Sequence, residues 1–138
     1  MWDLATEFGQ RVEHRLAHET IIWLVTTSAD GTSQPSPVWY IREGDTLLIF
    51  SKPDAPKVRN IRARPRVALH FNTNSAGEDV VVFHGTAMLD TDATPVDALP
   101  AYLAKYGAAI PGIGMTPAEM AQVYSQAIRV QLERVRGF

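Results

Sequence analysis

Leu4, Phe8, Val12 and Leu16 recur at steps of four, with Glu7, Arg11, Glu13 and Arg15 between them, which predicts an amphipathic helix ending near His18. A helix with one apolar face needs a surface to cover, here a sheet. From Thr20 to Thr27 the residues become β-branched and aromatic (Ile21, Ile22, Trp23, Val25), and Ala29-Asp30-Gly31 supplies a turn. A second extended run follows from Ser33 to Arg42, completing a hairpin. Glu43-Gly44-Asp45 then turns into Leu47-Leu48-Ile49-Phe50, predicted as a third strand in meander order.

After Ser51 the pattern changes again. Asp54-Ala55-Pro56 is helix-start chemistry, Val58 and Ile61 give one short apolar face, and Pro65 forbids continuation. Arg66 to Phe71 alternates as a fourth strand, and the turn-rich 72–77 leads into a long fifth strand from Asp79 to Asp90. Gly85 within that run predicts a bulge or bend. Pro95 to Tyr106 and Pro117 to Gln126 read as helices, and alternation at Ile128, Val130 and Leu132 makes a sixth strand. The loop from Gly107 to Thr116 is either a lid or a connector, and connector is the simpler reading. Six mostly antiparallel strands predict a mainly β fold, a small barrel with helices, because closure removes exposed edges.

At 138 residues and without an internal repeat or linker, residues 1–138 are expected to form a single domain. The absence of Cys excludes disulfides, thiolate nucleophiles and Cys metal sites. No apolar run approaches the ~20 residues of a membrane span, and Asp3 and Glu7 are foreign to a signal peptide, so a cytoplasmic protein is expected. The net charge of −2 hides a separation. Lys52 to Arg66 hold six cations against Asp54, a local +5, which leaves −7 for the rest. That distribution argues against nucleic acid and for one focused anion site.

Two segments could carry chemistry. In Ser51-Lys52-Pro53-Asp54-Ala55-Pro56-Lys57-Val58-Arg59-Asn60, a strand ends in a hydroxyl and a loop enters a helix whose first turn holds Lys57. Unpaired N–H groups and the helix dipole favour an anion there, such as a phosphate. Lys57, Asn60 and Arg64 share one helix face. The alternative is a solvated cationic helix. In Gln34-Pro35-Ser36-Pro37-Val38-Trp39-Tyr40, the prolines cannot donate ladder bonds. Ser36 and Val38 keep N–H groups and Gln34 adds an amide, so a flat heterocycle can lie there with Trp39 as a wall; the alternative is a protected edge strand over a core Trp. His14 and His18 are spaced i, i+4 but lack a third ligand, so no metal site is expected, and His70 and His84 read as strand residues. No residue is singled out as catalytic.

Asp30-Gly31, Gln34 to Tyr40, Phe50-Ser51, Lys57-Val58-Arg59-Asn60-Ile61 and Pro65-Arg66-Val67-Ala68-Leu69, in this order and spacing, resemble the pyridoxamine-phosphate-oxidase-like split-barrel superfamily. Within it, the chain looks most like the actinobacterial class that uses the deazaflavin coenzyme F420. The resemblance implies a six-stranded antiparallel split barrel that dimerises with itself and holds the cofactor at the subunit interface. It implies a phosphate tail near Ser51, Lys52, Pro56, Lys57 and Asn60, and a ring along Gln34, Ser36, Val38 and Trp39 with Phe50 nearby. Flavin-using members often place Arg before the Lys, where this chain has Pro56, so the resemblance points to F420 rather than FMN. The implied activity is hydride transfer from reduced F420 to a conjugated small molecule, the alternatives being an FMN-dependent oxidoreductase or a non-enzymatic binder of either cofactor.

Overall fold

A computed structural model describes residues 1–138. Helix α1 (Glu7–His18) opens on Thr6, whose side chain accepts a hydrogen bond from the Gly9 N–H. Seven strands follow in one antiparallel sheet: β1 (Ile22–Thr27), β2 (Ser33–Val38), β3 (Ile41–Glu43), β4 (Thr46–Ser51), β5 (Arg66–His70), β6 (Val81–Asp90) and β7 (Gln126–Gly137). Helix α2 (Pro56–Ala63) lies between β4 and β5, and α3 (Pro100–Tyr106) and α4 (Pro117–Val123) lie between β6 and β7. The mainly β class and the barrel architecture agree with the sequence reading. The predicted helix from Pro95 is interrupted: residues Val96–Ala98 form a 3-10 turn, and α3 restarts at Pro100.

The strand count differs from six because the run from Ser33 to Arg42 divides at Trp39-Tyr40. The spatial order is β2-β1-β5-β6-β7-β4-β3, so the two halves of that run occupy opposite edges of the sheet. The expected three-strand meander is thereby corrected to two separate hairpins, β1-β2 and β3-β4. The division also dictates the curvature. Seven flat strands would set the edges roughly 29 Å apart at about 4.8 Å per spacing. Val38 and Ile41 are three residues apart, a reach of at most about 11 Å. The sheet must therefore curl until its edges nearly meet, with the Trp39-Tyr40 link spanning the split.

Side chains at that link explain why the strand breaks there. Tyr40 is fully buried, and its N–H donates to the Tyr106 hydroxyl at 2.9 Å instead of to a neighbouring strand. The Tyr106 hydroxyl in turn donates toward the carbonyls of Thr20 (2.7 Å) and Tyr40 (3.0 Å). Lys105 Nζ donates to the same Tyr40 carbonyl at 2.9 Å and sits 3.6 Å above the Tyr40 ring. Helix α3 has replaced the ladder partners of the crossover.

The core has two parts. Val12, Leu16, Leu24, Ile49, Leu69, Phe83 and Val130 belong to the cluster inside the barrel. Outside it, Ile41, Leu48, Val96, Tyr102, Tyr106, Ile110, Met120 and Ala127 pack the α3–α4 layer against β3, β4 and β7. Strand β4 is thus covered on both faces, Leu47 and Ile49 inward and Leu48 outward, which accounts for its uninterrupted apolar run. Gly85 marks a register shift in the β6–β7 pairing, as its position predicted. A Cβ there would lie 2.2 Å from the Gln131 carbonyl oxygen of β7, so only glycine fits.

Candidate functional site

Two adjoining cavities flank the start of α2. The larger, about 390 Å³, lies between the barrel and the α3–α4 layer and is lined by Pro37, Val38, Trp39, Phe50, Ser51, Lys52, Ala55, Lys57, Tyr102, Ile113, Met120 and Tyr124. The smaller, about 230 Å³, is lined by Thr26, Gln34, Pro35, Ser36, Pro56 and Lys57. Lys57 is common to both. Of the residues singled out from sequence, Val38, Trp39, Phe50, Ser51, Lys52 and Lys57 meet in the first cavity, and Gln34, Ser36 and Pro56 in the second.

Electrostatically the site is cationic and uncompensated. The ion pairs of the chain are made by Arg11, Arg15, Arg42 and Arg129, none by Lys52 or Lys57. Burial lowers the pKa of Lys57 below the ordinary lysine value, because its charge is desolvated with no carboxylate to offset it. Lys57 stands in the first turn of α2, where Pro56 is the first helical residue and Ala55 at the cap offers no side-chain acceptor. The start of the helix is therefore open to an anion. Lys52 Nζ lies 5.8 Å from the Tyr124 ring centroid, so one face of that ring is paired with a cation.

Asn60 takes a different place. It lines neither cavity, and its Nδ2 donates to Thr26 Oγ1 (3.0 Å) and Gln34 Oε1 (2.7 Å), binding α2 to β1 and β2 and orienting Gln34. Arg64 Nε donates to the Thr27 carbonyl at 2.8 Å. The shared helix face of Lys57, Asn60 and Arg64 thus serves mainly to dock α2 onto β1. Ser51 is buried, with its hydroxyl donating to the Lys52 carbonyl.

A second correction concerns β2. Its six-residue register with β1 sets Pro35 against Val25, Ser36 against Leu24 and Pro37 against Trp23. Since proline has no N–H, the hydrogen-bonded pairs must be those of Gln34, Ser36 and Val38. Their N–H groups are spent on β1, and along Pro35 to Pro37 the free edge of β2 offers carbonyls only. What this strand presents to the cavities is side chains. The Ser36 hydroxyl is buried and without a partner, the only such side-chain group in the chain.

Sequence reasoning missed Tyr102, Ile113, Met120 and Tyr124, all from the segment between β6 and β7. Ile113 belongs to a 3-10 turn, Ile110–Ile113, so the Gly107 to Thr116 segment supplies a wall of the larger cavity as well as a connection. Trp39 stacks on Tyr106 at 4.5 Å with the rings within 2° of parallel, which holds it in the lining of the larger cavity. His14 and His18 stack on each other at 4.2 Å along α1, away from either cavity.

Comparison with known proteins places this arrangement. Among solved structures, an F420 reductase is similar at 22% identity, with 90% of this chain and 94% of that chain covered and a TM-score of 0.69. A conserved hypothetical protein from Mycobacterium tuberculosis is similar at 16% identity, with 95% and 82% covered and a TM-score of 0.71. HutZ, the heme storage protein from Vibrio cholerae, is similar at 13% identity, with 96% and 95% covered and a TM-score of 0.66. These identities speak for a shared fold. No curated protein sequence matches the chain. The sequence pattern of the pyridoxamine 5'-phosphate oxidase family matches residues 8–138. With nearly its whole length matched and the barrel in place, the chain belongs to the pyridoxamine 5'-phosphate oxidase family.

Proposed function

We propose that this protein is an F420-dependent oxidoreductase that reduces a conjugated small molecule. The observation that carries the reading is Lys57, a half-buried cation with no carboxylate partner, at an uncapped helix start between two cavities. An anionic group with a flat ring attached meets both requirements, the charge at Lys57 and the aromatic wall at Trp39 and Phe50. The unpartnered Ser36 hydroxyl beside Lys57 is a further group that such a ligand would satisfy. The residues therefore fit the cofactor. Lys57 and Lys52 would hold its phosphate tail, Ser36 and the side chain of Gln34 its polar edge, and Val38 and Trp39 its ring. Bound in the reduced state, F420 supplies a hydride. The chain's own part is to orient the two reactants and to exclude water from the aromatic end. The similarity to an F420 reductase supports this cofactor, and Pro56 in place of a second cation before Lys57 favours it over FMN.

We further infer a homodimer with the cofactor at the subunit interface. The smaller cavity has no aromatic wall of its own, and a second chain across the open edge of β2 would supply one. Light scattering should then give twice the chain mass.

Titration of the purified protein with F420 and with FMN, followed by fluorescence, tests the cofactor. F420 should bind, and Lys57→Ala should weaken it by about 1.5–3 kcal/mol, the range for a hydrogen bond to a charged group. Tight FMN binding without F420 binding would replace the proposed cofactor. F420 binding without turnover of quinones, enones or tetrapyrroles would make the protein a carrier.

A further inference from the structure

The larger cavity has a cationic end at Lys52 and Lys57 and an aromatic end, and Tyr102 belongs to the second. Its side chain is among the most buried in the protein, at 1% exposure. Phe50 packs edge-on against its ring at 5.5 Å, and Tyr106 tilts against it at 5.0 Å, so the ring is held in place. The two neighbouring tyrosines of α3 differ in one respect. The Tyr106 hydroxyl accepts from the Tyr40 N–H and donates toward the Thr20 and Tyr40 carbonyls. The Tyr102 hydroxyl makes no hydrogen bond within the chain and opens to the cavity it lines.

A phenol this deeply placed and left without an acceptor is costly unless something else supplies one. Burial, with Tyr106 and Tyr124 nearby, pushes its pKa above the usual phenol value, so it is a proton-bearing donor at any physiological pH. No carboxylate lines the cavity, and two lysines do, so a cationic ligand finds repulsion and no counter-charge. We propose that Tyr102 is the polar anchor of this cavity, donating a hydrogen bond to a carbonyl oxygen of a planar, uncharged substrate held at the aromatic end beside Phe50. The proposal rests on the preceding reading of the protein as an oxidoreductase that orients two reactants at this cavity. It narrows the substrate class to carbonyl-bearing conjugated rings such as quinones and enones, and it makes Tyr102 a specificity determinant.

Two probes of nearly equal shape separate the hydrogen bond from apolar burial: 2-methyl-1,4-naphthoquinone, with carbonyl groups, and 2-methylnaphthalene, without them. Calorimetric titration of the full chain alone should show the quinone binding about tenfold tighter than the hydrocarbon. In Tyr102→Phe that preference should collapse to within about twofold, while hydrocarbon affinity stays unchanged. Equal affinities in the unaltered protein would overturn the proposal, and so would a preference that survives in Tyr102→Phe. The first comparison needs no variant, so misfolding of Tyr102→Phe cannot shelter the idea. No cofactor enters the titration, so failure of F420 to bind and failure of Tyr102 to select carbonyls are separate results.

Discussion

Replacing Tyr106 by Phe tests whether the crossover between the two edges of the sheet is held by a single phenol. The substitution keeps the ring that stacks on Trp39 and removes only the hydroxyl. That hydroxyl accepts from the N–H of Tyr40, a fully buried residue with no strand partner at that group. The Tyr40 carbonyl still receives Lys105 Nζ, and the Thr20 carbonyl belongs to an exposed residue that water can reach. The net loss is one hydrogen bond, about 1 kcal/mol, plus the cost of a buried unpaired N–H, about 1–3 kcal/mol. We expect destabilisation of about 2–4 kcal/mol, or roughly 6–16 °C in Tm. Urea unfolding followed by circular dichroism measures it, with Tyr102→Phe as the control. The control removes a hydroxyl that holds nothing within the chain and should cost no stability. If Tyr106→Phe is as mild as its control, the crossover is secured by packing and the account of the divided strand is wrong.

The β6–β7 bulge and the acid limb give further tests. Gly85→Ala drives a Cβ to 2.2 Å from the Gln131 carbonyl oxygen, so the backbone of β7 must move; a loss of at least about 2 kcal/mol should appear in the same unfolding assay, and a neutral outcome would mean the two strands are not that close. Arg11 and Arg15 hold the Asp79 carboxyl below its usual pKa. A carboxyl depressed in the folded state contributes stability that is complete above its unfolded value near 4 and is lost as pH falls through the lower folded value. Asp79→Asn should therefore flatten the stability profile below about pH 4, and an unaltered acid limb would show that these ion pairs do not couple to folding.

Much of the architecture was legible in the chain because it follows from local chemistry. The four-residue stripe of α1, the alternation in β5 and β7, the start of α2 at Pro56 and the bulge at Gly85 each depend on residues close in sequence. The same holds for Lys57 and Trp39, whose neighbours carried the signal. The division of the run from Ser33 to Arg42 had no such signal. Trp39 and Tyr40 suit a strand as well as any residues in it, and what breaks the strand is Tyr106, 66 residues away, taking the Tyr40 N–H.

By itself, then, the sequence determined the class of fold, the local start of α2, and a concentration of positive charge beside it. Tertiary structure decided which of those groups line the two cavities. Asn60 shares a helix face with Lys57, yet it is consumed in fixing Gln34 and Thr26, and the N–H groups of Ser36 and Val38 are consumed by β1. Tyr102 carried no motif and became a cavity wall only when α3 packed on the outer face of β4. The physical reason is common to all three. Charge and backbone propensity belong to a residue and its neighbours, whereas a polar group's remaining capacity depends on what the rest of the chain has already asked of it.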